Sequence, residues 1–229
     1  MAEFHFVEDY EKLVAGLLES YPIDQAMELA VGGHYDLFGS IELGILRHVG
    51  LRSGHALLDI GCGSGRLAHA LSKSDLGIRY TGIDIIQSLL DYAASRTPPD
   101  YTYILNRALT LPVADGSQDV ICGFSLFTHL LHHETYIYME LAARALRPGG
   151  KVVFSFLEFA AESHWATFLV TIEQRRTQTS PHLNMFIERS VILLWASRLS
   201  LEVEYFIDGS HSVDGQNALG QTTAVLRRA

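Results

Sequence analysis

The stretch Leu57-Leu58-Asp59-Ile60-Gly61-Cys62-Gly63-Ser64-Gly65-Arg66-Leu67 joins a short apolar run to a glycine-rich turn. The pattern predicts a buried strand over 56–60 and a helix over 66–72. Glycines at such a turn let the backbone bend tightly, and they let a ligand approach the helix start without a Cβ in the way. The turn therefore predicts a ligand site, with a plain strand-to-helix connection as the alternative.

A carboxylate follows at the end of the next predicted strand. Tyr80-Thr81-Gly82-Ile83-Asp84 ends in an acid that lies nineteen residues beyond Gly65. A carboxylate only accepts hydrogen bonds and can span two donors, which suits it to both hydroxyls of a ribose. An ordinary helix N-cap is the alternative role for Asp84.

Strand-like and helix-like stretches alternate through the middle of the chain. The predicted strands are 56–60, 80–83, 101–105, 120–124 and 151–156, and the predicted helices are 66–72, 87–95 and 133–146. This alternation predicts an α/β fold with a Rossmann-like, doubly wound, mostly parallel sheet. Two further strand-like runs, 201–207 and 221–226, have no helix pattern between them and predict a C-terminal antiparallel hairpin.

Helical segments flank this core on the N-terminal side and after the fifth strand. Apolar residues recur every three or four positions up to residue 49, with breaks at 20–22 and 32–33, and they predict a helical N-terminal cap over 1–50. The main domain is then 51–229. Within it, the pattern of residues 158–189 predicts a helical lid insertion that includes a Pro/Asn loop at 180–184. A further helix is predicted at 191–199. A crossover helix with solvated charges is the alternative to a lid.

Composition limits the classes of function. The 229 residues are 48% hydrophobic, which is enough to bury the core of one large domain. A formal net charge of −9 disfavours binding along a nucleic acid backbone. Cys62 and Cys122 form no disulfide or metal-ligand pattern, and the sequence shows no signal peptide or long apolar span. These features predict a cytoplasmic location, with no membrane and no nucleic acid among the partners.

Two residues of the turn bear on which nucleoside it binds. A dinucleotide motif needs its third glycine where this chain has Arg66. Asp59 places negative charge just ahead of the glycines, which repels a pyrophosphate and suits a cation. A nicotinamide-dependent oxidoreductase, which would bind a dinucleotide, is the rival hypothesis for this turn. Arg66 and Asp59 argue against it.

Taken together, the motifs resemble the class I S-adenosylmethionine-dependent methyltransferases. The segments that carry the resemblance are 57–67, 82–84, 111–120, 127–130 and 146–151. The resemblance implies a seven-stranded sheet, S-adenosylmethionine as cofactor and S-adenosylhomocysteine as product. It also implies methyl transfer to a small or medium-sized organic acceptor, for which histidine and carboxylate candidates favour oxygen over nitrogen or carbon. A catalytically silent adenosyl-binding protein is the alternative from another class.

The resemblance implies a role for each matching position. Asp59 and the turn would hold the amino-acid tail and sulfonium end, Asp84 the ribose, and Ile85 would lie against the adenine. Arg107 stands where the family usually has Asp or Asn, so either Asn106 or the backbone of 108–109 would bind the adenine amino group. The implied cofactor-binding residues are Asp59, Gly61, Cys62, Gly63, Gly65, Asp84, Ile85, Asn106, Ala108, Leu109 and Ser125. Ser125 would lie beneath the transferring methyl.

The reaction itself requires mainly orientation and exclusion of water, with a general base only for an acceptor that holds its proton. The predicted catalytic residues are His129 after the fourth strand, and Glu158 and His164 after the fifth. A hydrogen bond to the loop backbone is the alternative role for His129. We predict no metal site, because the histidines at 129, 132 and 133 lack a partner cluster. The predicted oligomeric state is monomer or homodimer.

Overall fold

Residues 7–177 and 184–229 are described by the computed structural model of the chain. Residues 1–6 of the predicted cap and 180–183 of the predicted Pro/Asn loop lie outside this described part. The described residues fall into two compact units. The first unit runs to Pro112 and includes 213–216, and the second comprises 113–212 and 217–229.

The first unit begins with three helices, α1 (Val7–Ser20), α2 (Ile23–Ala30) and α3 (Tyr35–His48). Pro22 separates the first two, because a proline is tolerated at a helix start and not in its interior. Three successive left-handed residues, Gly32, Gly33 and His34, separate α2 from α3. The predicted breaks at 20–22 and 32–33 are confirmed.

The rest of the first unit alternates strands and helices, as predicted. Its elements are β1 (Ala56–Ile60), α4 (Arg66–Ser72), β2 (Arg79–Asp84), α5 (Gln87–Ser95) and β3 (Thr102–Leu105). The β2 strand pairs in parallel with β1 on one side and with β3 on the other. All five residues of β1 are buried, which explains why all of them except Asp59 are apolar.

The second unit contains the remaining strands. Its elements are β4 (Gln118–Gly123), α6 (His132–Ala145), β5 (Leu146–Phe156), α7 (Glu162–Thr177), α8 (Arg189–Arg198), β6 (Leu201–Ile207) and β7 (Thr222–Arg228). The β4 and β5 strands are parallel, whereas β7 is antiparallel to both β5 and β6. The seven strands follow the order β3-β2-β1-β4-β5-β7-β6. The predicted mostly parallel sheet with a C-terminal antiparallel hairpin is confirmed.

The β5 strand starts five residues earlier than predicted, at Leu146. Pro148 and Gly149 make this part of the sequence look like a turn. In the structure Leu146 pairs with Gln118, and the pairing register shifts before it resumes between Lys151 and Val120. The turn-like residues are therefore accommodated as an irregularity inside a strand.

The predicted lid contains α7, the longest described helix at 16 residues. His164 is its only described buried residue, and Trp165, Leu169 and Val170 are among its exposed apolar side chains. Across the described ranges, no helix combines the length and the apolar character needed to cross a membrane.

Candidate cofactor and acceptor site

The glycine turn adopts a left-handed backbone at Gly61, Gly63 and Gly65, with φ of 69°, 55° and 84°. A Cβ at Gly63 would lie 2.6 Å from Val31 Cγ1, and one at Gly65 would lie 2.6 Å from Ala93 Cβ. Both the backbone conformation and the close approach of neighbours therefore require glycine at 63 and 65. Because residues 63 and 65 have no side chain, the turn packs directly against Val31, which follows α2, and Ala93 of α5.

The Asp84 carboxylate lies beside this turn. Its Oδ2 accepts a hydrogen bond of 2.9 Å from the Gly63 N–H, and its Oδ1 accepts one of 3.0 Å from the Ile86 N–H. Burial raises the pKa of Asp84, and the hydrogen bonds from the backbone oppose that shift. Each oxygen keeps a second lone pair, so the same carboxylate has the capacity to accept ribose hydroxyls.

Asp59 and Cys62 lie deeper in the same region. Asp59 is 4% exposed, and the Tyr80 hydroxyl donates to its Oδ2 over 2.7 Å. Burial, together with the nearby Asp84 and Asp59 charges, raises the pKa of the Cys62 thiol well above its usual value. A thiol held protonated in this way is a poor nucleophile, so Cys62 fits a packing role in the turn.

The predicted cap covers the glycine turn. The Tyr35 hydroxyl donates to the Ser64 carbonyl over 2.9 Å, and the Ser64 hydroxyl donates to the Met27 carbonyl over 2.9 Å. Tyr10 of α1 lies near Asp84, and burial, with that charge adding to it, raises the pKa of Tyr10 to about 12. The cap residues Tyr10, Met27 and Tyr35 therefore belong to the surroundings of the turn.

Arg66 stands where a dinucleotide motif needs glycine. Its side chain links α4 to the cap by polar contacts. Its guanidinium donates to the Val31 carbonyl over 2.8 Å and forms an ion pair of 2.6 Å with Glu42, which is 2% exposed. The same guanidinium lies 5.2 Å from the centre of the Phe38 ring. These contacts of Arg66 were not predicted from the sequence, in which the one available signal was Glu42, a lone acid within the apolar run of α3.

The loop after β3 holds both alternatives for the adenine. Asn106 Nδ2 donates to the Thr110 carbonyl over 2.7 Å, and the Thr110 hydroxyl donates back to Asn106 Oδ1 over 3.1 Å. The Ala108 carbonyl in turn accepts the Thr110 N–H over 2.8 Å, so contacts within the loop engage both groups and do not separate the two alternatives. Arg107 donates to the Ile85 carbonyl and pairs with Glu11, so it links this loop to α1.

The second unit holds Ser125 and the three predicted catalytic residues. Ser125 follows β4 with a left-handed φ of 57°, which is strained for a residue that is not glycine. The Thr128 hydroxyl donates to the Ser125 carbonyl over 3.0 Å, and the His129 N–H donates to the Leu126 carbonyl over 2.9 Å. His129 is half-buried in this tight loop.

Glu158 and His164 are brought together in a polar network. Arg189 donates to both Glu158 oxygens over 2.9 and 2.8 Å, and the Thr222 hydroxyl donates over 2.6 Å. Burial alone would raise the pKa of Glu158, but the bonds from Arg189 and Thr222 and the Arg189 charge bring it below its usual range. His164 Nδ1 accepts from the Glu158 N–H over 3.1 Å, so its Nε2 donates to the Gly220 carbonyl over 3.0 Å.

Glu158 and His164 are predicted as catalytic residues, and this network leaves neither of them suited to accept a proton. A carboxylate with a lowered pKa is a weak base, and a histidine whose two ring nitrogens are both engaged has no lone pair to offer. The geometry favours a structural role in which the two residues hold α7 and α8 against the start of β7.

Replacing Glu158 with glutamine is expected to destabilise the protein by about 1–3 kcal/mol at neutral pH, because it removes the buried charge of an ion pair whose other member, Arg189, is partly exposed. The lowered pKa means that this stability is present above the pKa of an unfolded glutamate and is lost as the pH falls through the folded value. Thermal unfolding across the acid range measures both effects. Glu173→Gln, at an exposed pair on α7, is the matched control and should change little. If the melting temperature of E158Q falls with pH in the acid range as steeply as that of the wild type, the assignment is contradicted.

The first histidine of α6, His132, contacts residues from the C-terminal part of the chain. His132 Nε2 lies 3.0 Å from the Phe186 carbonyl, and its ring packs edge-on against Trp195. Within the part of the chain that the structure describes, no group of three or more His, Cys, Asp or Glu side chains is arranged to hold a metal ion.

The middle of the chain is similar to known methyltransferases. Residues 58–154 match the family described as "Methyltransferase domain". The chain is similar to a 2-methyl-6-phytyl-1,4-hydroquinone methyltransferase from Synechocystis sp., at 33% identity over 45% of this chain and 32% of that protein. It is also similar to a ubiquinone biosynthesis O-methyltransferase from Nitrosococcus oceani, at 27% identity over 72% of this chain and 70% of that protein.

Solved structures share the fold at low sequence identity. A geranyl diphosphate C-methyltransferase from Streptomyces coelicolor A3(2), in complex with Mg²⁺, geranyl diphosphate and S-adenosyl-L-homocysteine, superposes with a TM-score of 0.68 at 13% identity over 99% of each chain. A TehB-like SAM-dependent methyltransferase from Corynebacterium glutamicum gives a TM-score of 0.59 at 20% identity, over 97% of this chain and 98% of the other.

These matches cover part of the chain. Residues 58–154, fewer than half of the 229, match a methyltransferase domain. The predicted resemblance to S-adenosylmethionine-dependent methyltransferases is confirmed, and S-adenosylmethionine is the cofactor that it implies. The chain spans between 32% and 45% of the length of three of the curated relatives that it matches at 30% identity or better.

Proposed function

We propose that this protein transfers a methyl group from S-adenosylmethionine to a small or medium-sized organic acceptor, with oxygen as the favoured acceptor atom. The observation that carries the proposal is the left-handed glycine turn with the Asp84 carboxylate 2.9 Å from the Gly63 N–H. An acceptor-only group next to a turn with little side-chain bulk fits a ribose joined to a short aliphatic tail.

Different residues of the first unit would bind different parts of the cofactor. Asp84 would hold the ribose hydroxyls, Asp59 and the turn 61–65 the amino-acid tail, and Ile85 with the loop after β3 the adenine. When bound, S-adenosylmethionine supplies an activated methyl group on a positively charged sulfur. The protein then has to orient the acceptor and keep water away, and orientation alone is worth several kcal/mol.

Two observations support oxygen as the acceptor atom. Two similar proteins are named O-methyltransferases: the ubiquinone biosynthesis enzyme from Nitrosococcus oceani and a malonyl-[acyl-carrier protein] O-methyltransferase from Hahella chejuensis. An alcohol or phenol loses its proton on methylation, so it benefits from a base. His129 follows β4 and has an imidazole suited to that step near neutral pH.

Labelled methyl transfer tests the proposed reaction directly. The protein is incubated with methyl-labelled S-adenosylmethionine and a small-molecule cell extract, and the labelled product is identified by mass spectrometry. We expect label in a small organic product, joined through oxygen. Cofactor binding without label in any product would indicate a silent adenosyl-binding protein, and binding of NADH in its place would indicate an oxidoreductase.

Replacing His129 with alanine is expected to lower kcat for that acceptor by about a hundredfold or more, the usual contribution of a general base. Affinity for S-adenosylhomocysteine should stay within about twofold, because no part of the cofactor is assigned to this imidazole. His133→Ala, at an exposed position of α6, is the matched control. Equal losses of turnover and affinity in H129A would point to a structural role for His129.

A further inference from the structure

Three polar side chains from separate strands meet in the second unit. Ser125 follows β4, Ser155 lies near the end of β5, and Gln221 directly precedes β7. Because β7 runs antiparallel to β5, with Thr222 opposite Phe156, the start of β7 lies at the carboxyl end of β5. Ligands of open α/β sheets bind outside the carboxyl ends of the strands. The three side chains are therefore at the edge where an acceptor is expected.

The hydrogens of this group can be assigned from its geometry. Ser155 Oγ accepts the Ser125 N–H over 2.7 Å, so its own hydrogen is left for Gln221 Oε1, also 2.7 Å away. The Ser125 hydroxyl reaches the same Oε1 over 3.4 Å. The oxygen of the Gln221 amide therefore faces the two serines, and its Nε2 points the other way.

The two N–H groups of the Gln221 Nε2 are available as hydrogen-bond donors. Among the described residues no acceptor pairs with it, although Gln221 is half-buried. The chain of bonds from the Ser125 N–H through the Ser155 hydroxyl polarises the amide and strengthens its N–H groups as donors. The strained backbone of Ser125 fixes the direction of the first donor in that chain.

Two hydrogen bonds tie the segment that carries Gln221 to the segments that carry an aromatic cluster. Gly220 is bonded to His164, and Thr222 is bonded to Glu158. Trp165 follows His164 in the chain, and Phe159 follows Glu158. Both aromatic side chains are 41% exposed. They form a cluster with Phe168 and Phe186, in which the rings of Phe159 and Phe186 stack with centroids 4.7 Å apart. Grouped, exposed aromatic rings mark a surface that binds an apolar partner.

The charges of this region favour a neutral ligand. Arg189, the cation bonded to Glu158, is paired with two carboxylates, those of Glu158 and Asp208. The donor on offer is therefore a neutral amide rather than a cation, and a neutral amide matches a carbonyl or hydroxyl oxygen better than a phosphate.

We propose that Gln221 and the aromatic cluster form the acceptor subsite, which binds a neutral aromatic molecule with the Gln221 Nε2 donating to its hydroxyl or carbonyl oxygen. The assignment of this ligand as the acceptor rests on the proposed methyltransferase function. Gln221 acts as a specificity-determining residue, and Ser155 as the residue that positions it.

A pair of probes that differ by one hydroxyl tests the subsite. Binding of 2-naphthol and of naphthalene to the full chain, saturated with S-adenosylhomocysteine, is measured by equilibrium dialysis. We expect the wild-type protein to bind 2-naphthol about three- to tenfold more tightly, the range for one net hydrogen bond. Gln221→Leu and the similarly shaped Gln221→Met, neither of which carries an N–H donor, should abolish this preference while naphthalene binding stays the same. Ser155→Ala should reduce it, and Gln174→Leu, a matched control on α7, should keep it.

Phe159→Ala tests the aromatic part, and it should weaken both probes by a similar factor. The subsite is overturned if neither probe binds, if the wild type shows no preference, or if the preference survives in Q221L and Q221M. Melting temperatures identify any variant that fails to fold. Failure of the proposed function would show differently, as absence of S-adenosylhomocysteine binding by the wild-type protein measured separately by calorimetry.

Discussion

Replacing Asp84 with alanine is expected to weaken S-adenosylhomocysteine binding at least tenfold. The carboxylate would make charge-assisted hydrogen bonds to the ribose, and such bonds are about twice as strong as neutral ones. It also accepts from the backbone N–H groups of Gly63 and Ile86, so its loss loosens the turn itself. Calorimetric titration measures the affinity. Unchanged binding in D84A would remove Asp84 from the site.

Two further variants separate the ribose contact from the folding of the turn. Asp84→Asn keeps the shape of the side chain but removes its charge, and it should also lose affinity with little change in melting temperature. Asp91→Ala removes an exposed carboxylate from α5 and should leave the affinity unchanged. If D84N unfolds together with D84A, the carboxylate serves the fold rather than the ligand.

The raised pKa of Asp84 gives the affinity a pH dependence. As the pH falls, this buried carboxyl takes up a proton earlier than an ordinary aspartate, so binding should weaken earlier too. The sign for folding is the opposite: a carboxyl with a raised folded pKa costs stability while charged, and that cost is relieved as the pH falls. Titrations over a pH series should show the early loss in the wild type and a flatter profile in D84N.

Replacing Gly65 with alanine is expected to destabilise the protein by about 2–4 kcal/mol and to abolish cofactor binding. The residue has φ of 84°, and a Cβ there would lie 2.6 Å from Ala93 Cβ and 3.1 Å from Ala93 Cα. Left-handed strain costs about 1–2 kcal/mol and overpacking about 1–3 kcal/mol. Thermal and denaturant unfolding measure the loss.

The control for this substitution is Gly77→Ala, because a Cβ at Gly77 has no neighbour within 4 Å and its backbone is not left-handed. Gly63→Ala should be milder than G65A, since its close neighbour is the side chain of Val31, and Val31→Ala should restore part of the loss. A G65A protein as stable as G77A would show that the turn is not held as described.

Local patterns account for what the sequence could predict. The strands β1 and β4 are buried along their whole length, and most of their residues are apolar, so each stands out from its surroundings. The glycine turn and Asp84 were found because the motif lies within one strand-turn-helix unit and the strand that follows it. The start of β5 was missed because Pro148 and Gly149 carry a turn signal that pairing with β4 overrides.

Contacts between distant segments account for what the sequence could not predict. Glu158 looked like a free acid, but its partner Arg189 lies 31 residues further along the chain. The group of Ser125, Ser155 and Gln221 joins three strand ends whose separations of 30 and 66 residues have no local periodicity. Arg66 was read as a departure from a dinucleotide motif, and only the fold shows that its side chain links α4 to the cap.

Paired calorimetric titrations of the wild-type protein with S-adenosylhomocysteine and with NADH test the central claim most directly. The glycine turn and the adjoining carboxylate are proposed to hold a sulfur nucleoside that has no pyrophosphate. We expect saturable, one-to-one binding of S-adenosylhomocysteine and no heat of binding for NADH under the same conditions. Saturable binding of NADH without binding of S-adenosylhomocysteine would contradict it.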